Sequence, residues 1–159
     1  KGQLARDFDD PRYNKVVSFS REGTVIKVSS ESEKRKIKAI VGTIGRHLSN
    51  MVAGVTDGYV YTMKVYYSHF PIAITVVKNE VHIKNFMGEK GARIAQIVGA
   101  ASVNVGKDDI KIEGADVESV GQTAANIEQA CRLSRRDRRI FQDGIFIAEK
   151  ALQTGKKVK

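Results

Sequence analysis

The side chains that by type alone invite chemistry in this 159-residue chain are three histidines, one cysteine and a Gly-x-x-Gly segment. His47, His69 and His82 stand singly on different stretches. Metal ligation needs two or three His, Cys or carboxylate groups at converging spacings, so neither a metal site nor a cofactor is expected. Cys131 falls on the apolar side of a predicted helix, where a small buried thiol is the ordinary outcome. No flanking residues supply it with a base or an oxyanion hole, so a Cys–His hydrolase is the weakest of the alternatives. No enzyme activity and no small-molecule substrate are expected. The segment Gly88-Glu89-Lys90-Gly91-Ala92 lacks the Lys-Ser or Lys-Thr that a nucleotide-hydrolase phosphate loop requires. Read instead as a loop opening a helix, it offers unhindered backbone N–H groups at Gly88 and Gly91, with Lys90 and Arg93 as a phosphate clamp.

That grammar is shared with KH-type modules, which bind single-stranded RNA. Four residues are a weak pattern, and a KH loop lies between two helices, whereas here a predicted hairpin leads into it. Charge points to RNA as well. Lys and Arg number 27 against 18 Asp and Glu, a net +9, so the surface attracts polyanions. Residues 131–159 carry nine of the basic side chains (Arg132, Arg135, Arg136, Arg138, Arg139, Lys150, Lys156, Lys157, Lys159) and only three acidic ones. A charge run is often just a solvated face, yet five arginines within eight residues supply the planar fork suited to phosphate oxygens. The corner Ser68-His69-Phe70-Pro71 is expected to tuck Phe70 into the core, leaving Tyr67, Ser68 and His69 to stack on a nucleotide or donate to phosphate.

The elements that must carry these groups follow from periodicity. Residues 16–20 and 24–29 are β-branched runs joined by Arg21-Glu22-Gly23, a hairpin. Ser30 with Glu33 reads as a capping box, and Ile37, Ile40, Val41, Ile44, Leu48, Met51 and Val52 recur at helical spacing until Gly54. The expected helix spans 31–53, with Gly42 and Gly45 allowing close approach to a sheet. Asp57-Gly58 turns the chain into strands at 59–67, 72–77 and 81–86. A short helix is expected over 92–98, ended by Gly99, and strands at 101–105 and 109–113. Asp116 is a good N-cap for a second long helix with Val117, Val120, Ala124, Ile127 and Cys131 on one face. Ser134 and Asp137 are expected to cap a short basic helix, anchored in the core by Ile140 and Phe141, before a last strand at 145–148.

The order hairpin, long helix, Asp-Gly, strand occurs twice. Ile26-Lys27-Val28 matches Ile110-Lys111-Ile112 at an offset of 84, and Asp57-Gly58-Tyr59 matches Asp143-Gly144-Ile145 at an offset of 86. The expected organisation is therefore α+β: two tandem similar domains from an internal duplication, each a small antiparallel sheet packed against helices. The first, 1–58, is N-terminally incomplete, lacking its opening strands. The second, 59–150, is expected to be the main RNA-binding unit, and 151–159 a basic tail. The chain opens on Lys1-Gly2-Gln3 without a signal-peptide pattern, which suggests a start within a longer protein. No stretch approaches the roughly twenty apolar residues of a helical membrane span, and no membrane partner is expected. A single cysteine fits a reducing compartment, so the cytoplasm is the expected location.

Gln129, Leu133, Arg136, Arg139, Phe141, Asp143, Gly144, Ile145, Phe146, Ile147 and Lys150 together resemble the C-terminal signature of a known family. It is the archaeal and eukaryotic branch of ribosomal protein "L six" of the large subunit. The runs Tyr67 to Ile72, Asn85 to Lys90 and Gly54-Val55-Thr56 are similar to that family too, so the resemblance covers nearly the whole chain. It implies two similar α+β domains and a non-catalytic constituent of the large ribosomal subunit. It further implies binding to large-subunit rRNA, chiefly through the second domain, near the sarcin–ricin loop and the stalk base, beside other ribosomal proteins and where translational GTPases dock. The resemblance carries the RNA-binding role onto Lys90, Arg93, the five clustered arginines, Lys150 and the tail lysines.

Overall fold

The computed structural model describes residues 3–8, 16–134, 136, 137 and 139–155. The expectations placed on Arg135, Arg138, Lys156, Lys157 and Lys159 lie outside the described residues. The architecture is α+β, with two helices and three small antiparallel sheets. Strands β1 (Ser18–Glu22) and β2 (Val25–Ser29) form the first hairpin and lead into helix α1 (Arg35–Thr56). Strand β3 (Tyr59–Tyr66) follows, then β4 (Ala73–Val77), β5 (Glu80–Lys84) and β6 (Arg93–Gln96) as a three-stranded sheet in sequence order. Strands β7 (Ser102–Val105) and β8 (Asp109–Gly114), helix α2 (Val117–Ala130) and strand β9 (Gly144–Leu152) complete the chain. The four-stranded sheet has the order β7-β8-β3-β9.

Alternation along β3 explains where the core lies. Tyr59, Tyr61, Met63 and Val65 are buried, while Lys64 and Tyr66 face outward; successive strand side chains point to opposite faces. Met63, Val81, Ile83, Phe86, Ile110, Ile112, Val120, Ala124, Ile127 and Ile145 are fully shielded, and all lie between residues 59 and 145. Helix α2 lays Val120, Thr123, Ala124 and Ile127 against this core. Its start is fixed by Asp116, whose carboxylate accepts from the N–H groups of Glu118 and Ser119. Burial alone would raise the Asp116 carboxyl, but the Ser119 hydroxyl and these N–H groups together hold it below the usual range. In contrast, β1 and β2 expose Phe19, Val25 and Ile26, and α1 buries only Ile44 and Gly54.

Several expectations are corrected. The stretch 92–98 is not a helix: it contains β6, paired with β5, with Ala95 buried between exposed Ile94 and Gln96. Its apolar residues fit either period, and seven residues bounded by glycines are too few for a stable helix. The Ser30/Glu33 capping box does not form; α1 starts at Arg35 without a side-chain cap, and Ser30 accepts from the N–H of Ser32 instead. Gly54 does not stop α1, which runs on to Thr56, and Val52 of the expected apolar stripe is exposed. Nothing packs on Gly42 or Gly45; the close approach is at Gly54, where a Cβ would lie 1.9 Å from the Ala115 carbonyl oxygen. The expected basic helix after Ser134 is absent among the described residues. Asp137 makes a single turn, its carbonyl accepting from Ile140 and Phe141 N–H. Ile140 is 74% exposed rather than an anchor, and Phe70 is exposed rather than core. β9 is longer than expected, reaching Leu152, with a register shift opposite Thr62 and Met63.

Candidate nucleic-acid interface

Three connections meet beside the end of β3 where β9 begins. The antiparallel register sets Tyr66, the last residue of β3, opposite Gly144, the first of β9. This brings the corner 67–72 beside the segment 131–143 that joins α2 to β9. The Ser68 hydroxyl donates to Asp143 Oδ1 at 2.8 Å across that gap. The third connection, 85–92, is tied to the corner by Asn85 Nδ2 donating to the Pro71 carbonyl at 3.0 Å. The Phe70 ring covers Gly88, lying 3.2 Å from where a Cβ would stand.

Arg93 joins the 85–92 loop to the end of α2. Its Nε and Nη2 donate to the two Glu89 carboxylate oxygens at 2.8 and 2.6 Å. Its Nη1 donates to the carbonyls of Ala130 at 2.8 Å and Arg132 at 3.2 Å, satisfying acceptors that a helix C-terminus leaves open. The guanidinium also lies 4.3 Å from the centre of the Phe86 ring. The hydrogen bond from Arg93 holds the Glu89 carboxyl below its ordinary range, and the same contact raises Arg93. The expected clamp residue is thus committed within the chain. The loop it holds is tightly folded: Asn85, Met87 and Gly88 have φ of 59°, 54° and 77°, the left-handed region that non-glycine residues seldom occupy. A strand, not a helix, follows the loop, so the expected helix N-terminus is absent.

The remaining predicted residues divide into those brought together and those set apart. Lys90 and Gly91 are exposed on the loop. Tyr67 is exposed, and His69 packs edge-to-face on Phe70 with centroids 4.7 Å apart. Arg132 is exposed beside them, Arg136 places its guanidinium 5.1 Å from the centre of the Phe141 ring, and Arg139 projects into solvent near Asp137. Lys150 stands elsewhere: it pairs with Tyr61 on β3, its Nζ 5.5 Å from that ring centre.

Sequence reasoning missed a cleft of about 720 Å³ at this end, between the corner, the end of α2 and the segment 131–146. Tyr66, Tyr67, Phe141 and Phe146 contribute its aromatic surface, and Asp143, 5% exposed, lies in its wall. The signal available was the doublet Tyr66-Tyr67: alternation along β3 turns the Tyr66 ring outward, and Tyr67 follows beyond the end of the strand. Cys131 also borders the cleft but is buried, and desolvation pushes its thiol up to about 12. It would be protonated at neutral pH and is no nucleophile there. Among the described residues no group of three His, Cys, Asp or Glu is placed to hold a metal ion. No described helix is long and apolar enough to cross a membrane.

The chain is similar to known proteins along most of its length. The sequence model described as ribosomal protein L6 matches residues 70–144, which begin within the corner and include the 85–92 loop and the segment after α2. The chain is 50% identical over 150 residues to large ribosomal subunit protein uL6 of Methanothrix thermoacetophila, covering 94% of this chain and 83% of that protein. It is 51% identical over 152 residues to the uL6 of Desulfurococcus amylolyticus, covering 94% and 81%. To the uL6 of Methanocella arvoryzae it is 47% identical over 152 residues, covering 95% and 84%.

Proposed function

This chain belongs to the ribosomal protein L6 family, and from that membership we propose that it is a structural, non-enzymatic constituent of the large ribosomal subunit that grips rRNA with the end of its second unit. Support comes above all from one observation: three separate connections are fastened to one another by Arg93, Asn85 and Ser68, and each carries exposed cations or aromatic rings. Phosphates supply affinity through counterion release, and the shape of a folded RNA supplies the address. Lys90, Arg132, Arg136 and Arg139 act on phosphate, Tyr67 and His69 offer stacking surfaces, and Gly91 keeps the loop backbone open to approach, whereas Gly88 lies under the Phe70 ring. Arg93 is a positioning residue in this scheme. Lys150 falls outside the footprint, and Arg135, Arg138, Lys156, Lys157 and Lys159 add to the net positive charge that draws the chain to polyanions.

By family resemblance the RNA is that of the sarcin–ricin loop region and stalk base. Neighbouring ribosomal proteins would flank the chain there, translational GTPases would pass close by, and the location would be the cytoplasmic ribosome. The two tandem domains, divided near Gly58, arise in this reading by duplication: a hairpin followed by a long helix occurs twice, as β1-β2-α1 and as β7-β8-α2.

The test compares binding of the chain to a folded fragment of large-subunit rRNA and to short single strands, at one fixed salt concentration. The folded fragment should bind far more tightly, and the triple substitution R132E/R136E/R139E should abolish that binding while circular dichroism stays native. Tight binding of single strands would favour a KH-like groove, although the Gly88–Gly91 loop runs into β6 rather than into a helix.

A further inference from the structure

We propose that the cleft between the 67–72 corner and the 131–146 segment receives one unstacked guanine of the bound RNA, read by the carboxylate of Asp143. The inference rests on the RNA-binding reading above and adds to it a base-specific pocket. Asp143 is 95% shielded by residue, yet Ser68 alone among the described residues bonds its carboxylate, on Oδ1. Asp143 lines the cleft, and because no described buried side-chain oxygen or nitrogen lacks a partner, its unbonded Oδ2 is not sealed from solvent. A carboxylate has about four acceptor sites and no donor, and Ser68 takes one of them, so acceptor capacity remains for a donor that reaches it through the cleft.

That chemistry selects among the bases. Guanine alone presents two adjacent N–H donors, N1–H and the N2 amino group, matching the two oxygens of a carboxylate. Adenine and cytosine set an acceptor nitrogen beside their amino group, and uracil flanks its single N–H with carbonyl oxygens; each turns lone pairs toward the anion. The surroundings suit a nucleotide. Exposed Tyr67 and half-buried Phe141 supply ring faces, and unstacked RNA bases are commonly held on such rings. Arg132 at the cleft and Arg136 over Phe141 bring positive charge to where the phosphate of that nucleotide would emerge. Glu128, the other acidic residue of the lining, adds to the exclusion of bases that turn lone pairs toward the anion.

The four ribonucleoside 5′-monophosphates, with inorganic phosphate as the control for anion binding alone, are titrated into the ¹⁵N-labelled chain. GMP should bind at least about tenfold more tightly than the other three, shifting the amides of Ser68 and Gly144. Asp143→Asn should erase that preference, because an amide offers one acceptor instead of two. Equal binding of all four, or a preference that survives Asp143→Asn, overturns the proposal. Should Asp143→Asn fail to fold, Tyr67→Ala at an exposed position carries the test: it should weaken GMP several-fold, and unchanged GMP affinity overturns the pocket. On the folded rRNA fragment, one unpaired guanine should lose glyoxal reactivity at N1 and N2 when the chain binds and regain it with Asp143→Asn. If the fragment binds but every unpaired guanine stays reactive, the guanine pocket fails and the RNA-binding reading stands. If the fragment does not bind at all, the broader reading fails, and the monophosphate titration judges the cleft alone.

Discussion

Arg93 sits 24% exposed between two carboxylate oxygens, two backbone carbonyls and an aromatic face, an arrangement only a planar five-donor fork can serve. Lysine keeps the charge but can neither chelate Glu89 nor reach both carbonyls, so Arg93→Lys should cost about 1–2 kcal/mol of stability. Urea unfolding at neutral pH measures it, and a cost near zero would show that the staple is dispensable. The pH dependence has a definite sign. Arg93 holds the Glu89 carboxyl below its unfolded value, so this pair adds stability above the ordinary carboxylate pKa and loses it as pH falls through the lowered folded value. The acid limb of the stability profile should therefore be shallower in Arg93→Lys than in the parent. Glu89 is well exposed, so solvent screening keeps that difference small. None of this was legible from spacing: a residue two places after Gly91 reads as a surface clamp, and its acceptors at Ala130 and Arg132 are 37 and 39 positions away.

Helix α1 and strand β6 show which element-level features the sequence encodes locally. Asp116 announces α2 because its cap is satisfied by its own first turn, and alternation announces β3 because both its faces are set by one sheet. The 92–98 stretch was ambiguous because what decides it is pairing with β5, a contact made at a distance. The glycines of α1 were misassigned for the same reason. Gly54, not Gly42, meets its neighbour, and the pair yields an opposed prediction. Gly54→Ala drives a methyl into the Ala115 carbonyl and should destabilise by about 2–3 kcal/mol. Gly42→Ala adds a methyl in open space inside a helix and should stabilise by roughly 0.5–1 kcal/mol. Thermal and urea melts of the two variants check both signs. Equal effects would mean that α1 does not press its C-terminal end against the start of α2.

At the scale of the whole molecule, the net charge of +9 is less informative than its distribution. Composition pointed to a polyanion as partner and the sequence placed the arginines; neither revealed that the corner, the loop and the segment after α2 share one end. That juxtaposition depends on the β3–β9 register and on Arg93. It also separates Lys150 from the arginines nearest it in the sequence, and this separation is measurable. Each phosphate neutralised by a cation contributes roughly 0.7–0.9 to the slope of log affinity against log salt, depending on the helical state of the RNA. The parent should show a slope corresponding to several phosphates. Replacing Arg132, Arg136 and Arg139 by Gln removes three cations from the proposed footprint and should reduce the slope by about 2–3 units. Lys150→Gln removes a cation that rests over Tyr61 on the body of the sheet and should leave the slope unchanged. Titrations of the folded rRNA fragment across a salt series, with the three proteins in parallel, decide the matter. A loss in Lys150→Gln equal to that per arginine would extend the footprint along β9, and a parent slope near zero would remove the electrostatic basis of the interface altogether.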